Sequence, residues 1–353
     1  MNDCSGLAPD CVSSLAQWAK ANEVPLGMTF ELTPLCNFRC VMCYVRLSPE
    51  QAKAQGNLLD AEQWLEIARQ AKEMGTLYLT LTGGEPFIHP EFWDIYRKLN
   101  QMGFLISILS NGSLIDEAVM EKFMEYGLPY SMKLTLYGAT DETYLRTCGC
   151  PDGFTRVCRA IDLLQGAGVP LSLTSTIVRE NAEDLQRMYQ FARRRGIPMQ
   201  HTVSVVKSSR GAVNTAESSR FSFDAFAEEL TLEVLGKNKF PPLESPFAWC
   251  GCFGASAWMS WSGKLQMCSF LSVPAVSWSG DLHQDWQGLM KQGHALQSPP
   301  ECADCQWSTF CQRCPGLLCA ESGHPERIDK DLCRTAERLS HLYQQRIHQE
   351  ELT

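Results

Sequence analysis

Three cysteines, Cys36, Cys40 and Cys43, stand in a C-x3-C-x2-C arrangement within Cys36-Asn-Phe-Arg-Cys40-Val-Met-Cys43-Tyr44. Three thiolates can cap three irons of a cubane iron–sulfur cluster and leave the fourth iron without a protein ligand, free to take a substrate or cofactor. A structural zinc ion would want four protein ligands, and no fourth Cys or His lies close by in the chain. Further on comes Gly83-Gly84-Glu85-Pro86. Two glycines let backbone approach a ligand closely, and a carboxylate there can hold an ammonium group. Alone this tetrapeptide is equally a turn; beside three spaced cysteines it reads as the second half of one site.

The chain holds seventeen cysteines, too many for ordinary core packing, and a disulfide framework does not suit 353 residues in a reducing compartment. Metal ligation is the leading explanation. The cysteines gather at 36–43, 250–268 and 302–333, whereas Cys4, Cys11 and Cys158 are isolated and read as simple thiols. Cys302-x2-Cys305 and Cys311-x2-Cys314 are also the ingredients of a zinc ribbon, although their short separation and the extra cysteines count against one. Cys148-Gly-Cys150 and His201 read first as packing residues, and Arg193-Arg194-Arg195 as a solvated helix end.

The elements that must carry these groups alternate short apolar runs with amphipathic stretches from Met28 to about Val205, the pattern of repeated strand–helix units. Strands are predicted at 28–33, 76–82, 104–110, 130–136, 171–177 and 199–205, rich enough in apolar and β-branched residues to be buried on both faces. The helical patterns between them, such as DAEQWLEIARQAKEMG and ENAEDLQRMYQFARRRG, end at glycine. The expected fold is α/β, a partial (β/α)6 TIM-like barrel, whose ligand site belongs at the C-terminal strand ends where both motifs fall. Residues 1–27 form an N-terminal extension, 28–222 the barrel, 223–247 a bridging helix (from about Asp224 to Leu235) and linker, and 248–353 a cysteine-rich module with a C-terminal helix. That module has so thin an apolar pattern that metal is expected to order it.

On these residues the chain resembles the radical S-adenosylmethionine (SAM) superfamily over 28 to about 205. The resemblance implies that Cys36, Cys40 and Cys43 carry a catalytic [4Fe–4S] cluster whose open iron chelates SAM, and that reductive cleavage of SAM yields a 5'-deoxyadenosyl radical that abstracts hydrogen from substrate. It implies SAM contacts at Met42, Gly83, Gly84 and Glu85, and at Ser110, Asn111, Thr135 and Thr176, where a turn or strand role is the alternative for each residue taken singly. Arg146 follows the fourth strand near a position the family gives to a SAM-binding arginine.

Cys252-x10-Gly263-x4-Cys268, then Cys302, Cys305, Cys311, Cys314 and Cys333, resemble the SPASM extension of that superfamily, with two residues rather than three between the penultimate pair. The resemblance implies one or two auxiliary [4Fe–4S] clusters: Cys250, Cys252, Cys268 and Cys314 on one, and Cys302, Cys305, Cys311 and Cys333 on the other. Cys250 and Cys252 are closer together than the family's ligands. Either both ligate, or one does and the cluster keeps an open iron or takes Cys319.

Such enzymes mostly modify peptides or proteins, by cross-linking, epimerisation or oxidation. A peptide or protein substrate is therefore the first expectation, a small-molecule dehydrogenase the second, and an electron carrier without catalysis a distant third. Sulfatase maturation is disfavoured because Ser269 and Phe270, not an acid, follow Cys268. The net charge of −9 argues against nucleic acid or an anionic membrane as partner. No apolar run long enough to span a bilayer and no basic signal-like N-terminus is present. A cytoplasmic monomer fed by flavodoxin or ferredoxin is expected. With about twenty-seven residues before the first strand, any leader peptide would be recognised by the barrel, the C-terminal module or a separate protein.

Overall fold

The computed structural model describes residues 9–207, 216–220, 245–247, 250–311 and 314–351. The bridging helix expected at 224–235 lies outside them. Helix α1 (Pro9–Ala21) leads into β1 (Gly27–Glu31), α2 (Pro49–Gln55) and α3 (Ala61–Glu73). Then come β2 (Tyr78–Thr82), α4 (Phe92–Gln101), β3 (Leu105–Ser110), α5 (Glu117–Tyr126), β4 (Ser131–Thr135), α6 (Asp141–Cys148) and α7 (Gly153–Gly166). β5 (Leu171–Thr176), α8 (Leu185–Arg194), β6 (Met199–Thr202) and the short α9 (Ala216–Ser219) complete the repeats. The C-terminal part adds β7 (Ser256–Met259), β8 (Lys264–Gln266), β9 (Val276–Ser277), α10 (Leu282–Ala295), α11 (Pro315–Ser322) and α12 (Lys330–Glu351).

The sheet order is β6-β5-β4-β3-β2-β1-β7-β8-β9, with every pair from β6 through to β7 parallel. All six predicted strands are present with trimmed ends. Strand β7 extends the barrel sheet by pairing with β1 from Gly27↔Ser256 to Phe30↔Met259, so the C-terminal region shares the barrel's hydrogen-bonded frame. Helix α10 fastens the same edge: Trp286 Nε1 donates to Glu23 O at 2.7 Å and Leu282 N to Gln70 Oε1 at 2.6 Å.

Burial on both faces, expected from composition, does not hold. Met28, Phe30, Leu79, Leu81, Ile106, Ile108, Met132, Leu134 and Leu173 are buried and pack on Trp64, Ile67, Ile95, Leu99 and other helix residues in one core. The alternating positions Thr29, Thr80, Ser107, Lys133, Thr135, Thr174 and Thr176 are polar and only partly covered. Side chains alternate across a strand, so the helices dry one face while the inner face of the incomplete barrel is polar and, among the described residues, only partly covered. His201 falls on the helix-facing side, where its Nδ1 meets Tyr189 Oη at 2.7 Å.

Helix starts follow local chemistry. Asp60 and Ser48 each form a reciprocal capping box, with Gln63 and Gln51 respectively, and Asp116 and Thr140 cap α5 and α6 through their side-chain oxygens.

Candidate radical site

The ladder between β1 and β2 does not stop where the strands do. Leu32 N donates to Thr82 O at 2.9 Å, Gly84 N to Thr33 O at 2.7 Å and Glu85 N to Leu35 O at 2.9 Å. The loop that carries the cysteines is thereby stitched to the Gly83–Gly84 loop. A Cβ on Gly84 would lie 2.2 Å from Leu35 O, and one on Gly83 (φ +151°) 2.4 Å from Thr33 O. The close backbone approach expected of these glycines toward a ligand is thus made first to the cysteine loop itself.

Glu85 is fully buried. Its carboxylate accepts from Ser110 Oγ at 2.9 Å, Asn111 N at 2.9 Å and Phe87 N at 3.4 Å, which ties the end of β3 to the same loop pair. Burial pushes its pKa up to about 7 against these bonds, which lower it. Asn111 in turn donates from Nδ2 to Asn37 Oδ1 at 2.9 Å and toward Cys36 Sγ at 3.7 Å. Cys36, Gly83, Gly84, Glu85, Ser110 and Asn111 therefore form one continuous patch at the strand ends.

Sulfur in the cysteine loop receives hydrogen bonds. Phe38 N donates to Cys36 Sγ at 3.4 Å and Arg46 N to Cys43 Sγ at 3.2 Å. Burial raises the Cys36 thiol, and charge on Glu85, Cys40 and Cys43 would raise it further; burial and then Cys40 raise Cys43. Cys40 goes the other way, because Cys148 and Tyr137 hydrogen-bond to it. Three partly buried thiols, two of them with backbone N–H donors aimed at sulfur, suit a cationic iron core that deprotonates its ligands. The donor set fits a cluster.

Met42 places its side chain in a small apolar cluster with Val178 and Val205. Thr135 and Thr176 end β4 and β5 on the open inner face. Arg146 is tied up elsewhere: it pairs with Glu183, and its Nε donates to Glu180 O at 3.2 Å.

The C-terminal thiols fall into two groups. Charge on Cys250, Cys268 and Cys314 opposes ionisation of Cys252, so these four lie within electrostatic reach of one another. A hydrogen bond between Cys250 and Cys252 lowers the former and raises the latter, and burial pushes Cys268 up to about 11. Gly316 adjoins the group, an added Cβ meeting Cys268 Sγ at 3.2 Å and Cys314 Sγ at 3.6 Å. Cys333 is raised by burial and then by Cys311 and Cys305, which defines the second group. Cys319, considered as a substitute ligand, is buried with its sulfur 3.3 Å from Ser272 Oγ. Among the described residues, no three Cys, His, Asp or Glu side chains converge on a point for one metal ion.

The loop that carries the first thiol set touches the C-terminal region through Tyr44. Tyr44, next to Cys43, lies 5.1 Å from the Phe270 ring, and its Oη reaches Ser269 Oγ at 3.5 Å, just past Cys268.

Residues 30–192 match the radical SAM superfamily. That stretch carries a radical SAM domain. Among curated relatives it is 31% identical over 192 residues to the PqqA peptide cyclase of Granulibacter bethesdensis, covering 54% of this chain and 50% of that protein. It is 26% identical over 189 residues to the AdoMet-dependent heme synthase of Methanosarcina barkeri, covering 54% and 53%. The chain thus spans about half the length of the curated relatives it matches. Streptococcus suis SuiB bound to its precursor peptide SuiA superposes with a TM-score of 0.65 at 16% identity, covering 94% of this chain and 83% of that one. Native anSMEcpe with bound AdoMet gives 0.61 at 16%, covering 92% and 99%. Both structures share the fold. SAM and a [4Fe–4S] cluster are the cofactors of the radical SAM domain.

Two predictions test the patch. Gly84→Ala forces Cβ against Leu35 O; it should cost about 1–3 kcal/mol and lower the iron retained after anaerobic reconstitution, and wild-type iron content and stability would contradict the loop ladder. Glu85, with a folded-state pKa of about 7 above its ordinary 4.5, keeps its proton between those values while the unfolded chain loses it. Stability should therefore fall as pH rises from 4.5 to 7, and level off above, by about 3 kcal/mol relative to Glu85→Gln. Urea unfolding of the cluster-free proteins measures this; a pH-independent difference would contradict it.

Proposed function

We propose that Cys36, Cys40 and Cys43 hold the catalytic cluster and that the patch of Gly83, Gly84, Glu85, Ser110 and Asn111, with Met42, Thr135 and Thr176 around it, binds SAM. When bound, the pair supplies a 5'-deoxyadenosyl radical by one-electron cleavage of SAM. The chain's own residues do the rest. The loop ladder holds the thiols at fixed spacing, Phe38, Arg46 and Asn111 donate to sulfur, and the polar inner face of the barrel receives the substrate.

The C-terminal region, on this reading residues 248–353, is a SPASM-like module. Cys250, Cys252, Cys268 and Cys314 take one auxiliary cluster; Cys302, Cys305, Cys311 and Cys333 take the other. The observation that carries the reading is the meeting of Tyr44, beside Cys43, with Ser269 and Phe270, beside Cys268. Substrate bound over the open barrel face lies next to both thiol sets, so an electron left on it after hydrogen abstraction has a nearby acceptor. The reaction class is oxidative modification of a peptide or protein, as a cross-link, epimerisation or oxidised side chain.

Support for a peptide comes from the relatives, a peptide cyclase and the fold of a protein solved with its precursor peptide. The heme synthase relative favours a second reading, oxidation of a small molecule. The electron donor is a flavodoxin or ferredoxin, and the protein acts as a cytoplasmic monomer; no helix among the described residues is long and apolar enough to cross a membrane.

Single Ala variants of Cys36, Cys40 or Cys43 should lose deoxyadenosine formation from SAM under dithionite by at least about 100-fold, since the cluster is the source of the electron. Ala variants of Cys268 or Cys314 should keep part of that cleavage while losing modified product. Full deoxyadenosine yield from a triple Cys36/Cys40/Cys43 variant would overturn the assignment.

A further inference from the structure

The middle of β4 carries a cation where the neighbouring strands carry neutral residues. Lys133 stands between Met132 and Leu134, whose side chains are buried in the helix-covered core. Successive side chains point to opposite faces of a sheet, so Lys133 points to the inner face, where it is exposed. It has no hydrogen-bond or ion-pair partner among the described residues.

Its surroundings do not neutralise it. Leu109 on β3 and Ser172 on β5 are its register partners. One layer below, Ser107 Oγ and Ser131 Oγ satisfy each other at 2.8 Å. Toward the β6 edge, Gln200 and Thr202 are exposed on the same face and add neutral hydrogen-bonding groups. The other charged residue on this face of β1 to β6 is Glu31, which is buried and accepts from Trp258 Nε1 at 2.9 Å. Strands β2 and β3 separate it from Lys133.

Lysine is disfavoured in strands, and the serines and threonines that fill the equivalent places on β2, β3 and β5 would build the same sheet. What lysine adds is a charge aimed into the chamber. Thr135, two residues on, ends β4, so the charge sits about 6.6 Å below the strand end at the rise of a parallel strand. The flexible four-carbon stem of lysine lets the ammonium adjust over that depth.

We infer that Lys133 is a specificity residue of the barrel and holds a carboxylate of the substrate, either an Asp or Glu side chain of a peptide or its C-terminal carboxylate. The physical reason is charge complementarity. An ammonium without an internal counter-ion, on a face otherwise neutral and in a chain of net charge −9, distinguishes an anionic group from its neutral amide isostere and repels a cationic one. Anchoring a carboxylate at this depth leaves the adjoining residues of the peptide at the strand ends, beside the proposed SAM patch.

The inference rests on the proposed radical site and peptide substrate, and the experiment separates its failure from theirs. Full-length protein, reconstituted anaerobically and held with SAM but no reductant, is immobilised and challenged with N-acetylated hexapeptides that carry Asp, Glu, Asn, Gln or Lys at a central position. Half are C-terminal amides and half free acids, and retained peptides are counted by mass spectrometry. Wild-type protein should enrich Asp and Glu peptides over Asn and Gln ones, or free acids over amides, by about fivefold, the size of an ion pair partly open to water. The first pattern assigns a side-chain carboxylate, the second the terminus. Lys133→Met should abolish the enrichment while keeping wild-type iron and melting temperature, Lys133→Arg should preserve it, and about 1 M NaCl should weaken it by screening. Equal retention of acidic and amide peptides by wild-type protein, or undiminished enrichment in Lys133→Met, would overturn the inference. So would loss of iron and thermal stability in both variants, which would make the lysine structural. Absence of deoxyadenosine when wild-type protein meets SAM under dithionite would instead overturn the radical site itself.

Discussion

The site depends on a backbone ladder that outruns its strands. Where β1 and β2 end, hydrogen bonds from Gly84 N to Thr33 O and from Glu85 N to Leu35 O keep the two loops in register. No side chain fits between them at Gly83 or Gly84. A thiol set for a cluster must hold its spacing before metal arrives, because each ligand contributes only if the others are in reach. The ladder supplies that spacing from one side, the end of α6 from another, and the buried Glu85 locks β3 to both.

Electrostatics explains why this arrangement calls for a cationic guest. Burial pushes the Cys36, Cys43, Cys268 and Cys314 thiols away from ionisation, the bond to Cys250 and then burial do the same to Cys252, and neighbouring thiolates add to it in each group. The irons of a cluster held by these thiols would offset that cost. The inner face of the sheet, by contrast, is polar and only partly covered among the described residues.

Much of this was legible in the sequence. The six strand runs kept their residues within a trimmed end or two, because parallel strands bury dense β-branched segments against helices and such segments stand out. The cysteine spacing and Gly-Gly-Glu-Pro were readable because their chemistry is local. Burial of both strand faces was over-read: composition does not distinguish a filled barrel from one left open on its inner side. The strands β7, β8 and β9 escaped notice because they are short and carry Ser, Lys and Gln, although the alternation in Ser-Ala-Trp-Met was a usable signal. The docking of the α6 end onto the cysteine loop, through Arg39 and Val41, spans more than a hundred residues and had no mark in spacing at all. Nor did Glu85's internal partners, which also make it a clip between loops.

The measurement that bears most directly on the account is the iron and acid-labile sulfide content of anaerobically reconstituted protein, with zinc measured alongside. About twelve irons and as many sulfides per chain, without zinc, is the result expected of one catalytic and two auxiliary clusters on the three thiol groups. About four irons with bound zinc would contradict the reading of the C-terminal cysteines, and no iron at all would contradict the central one.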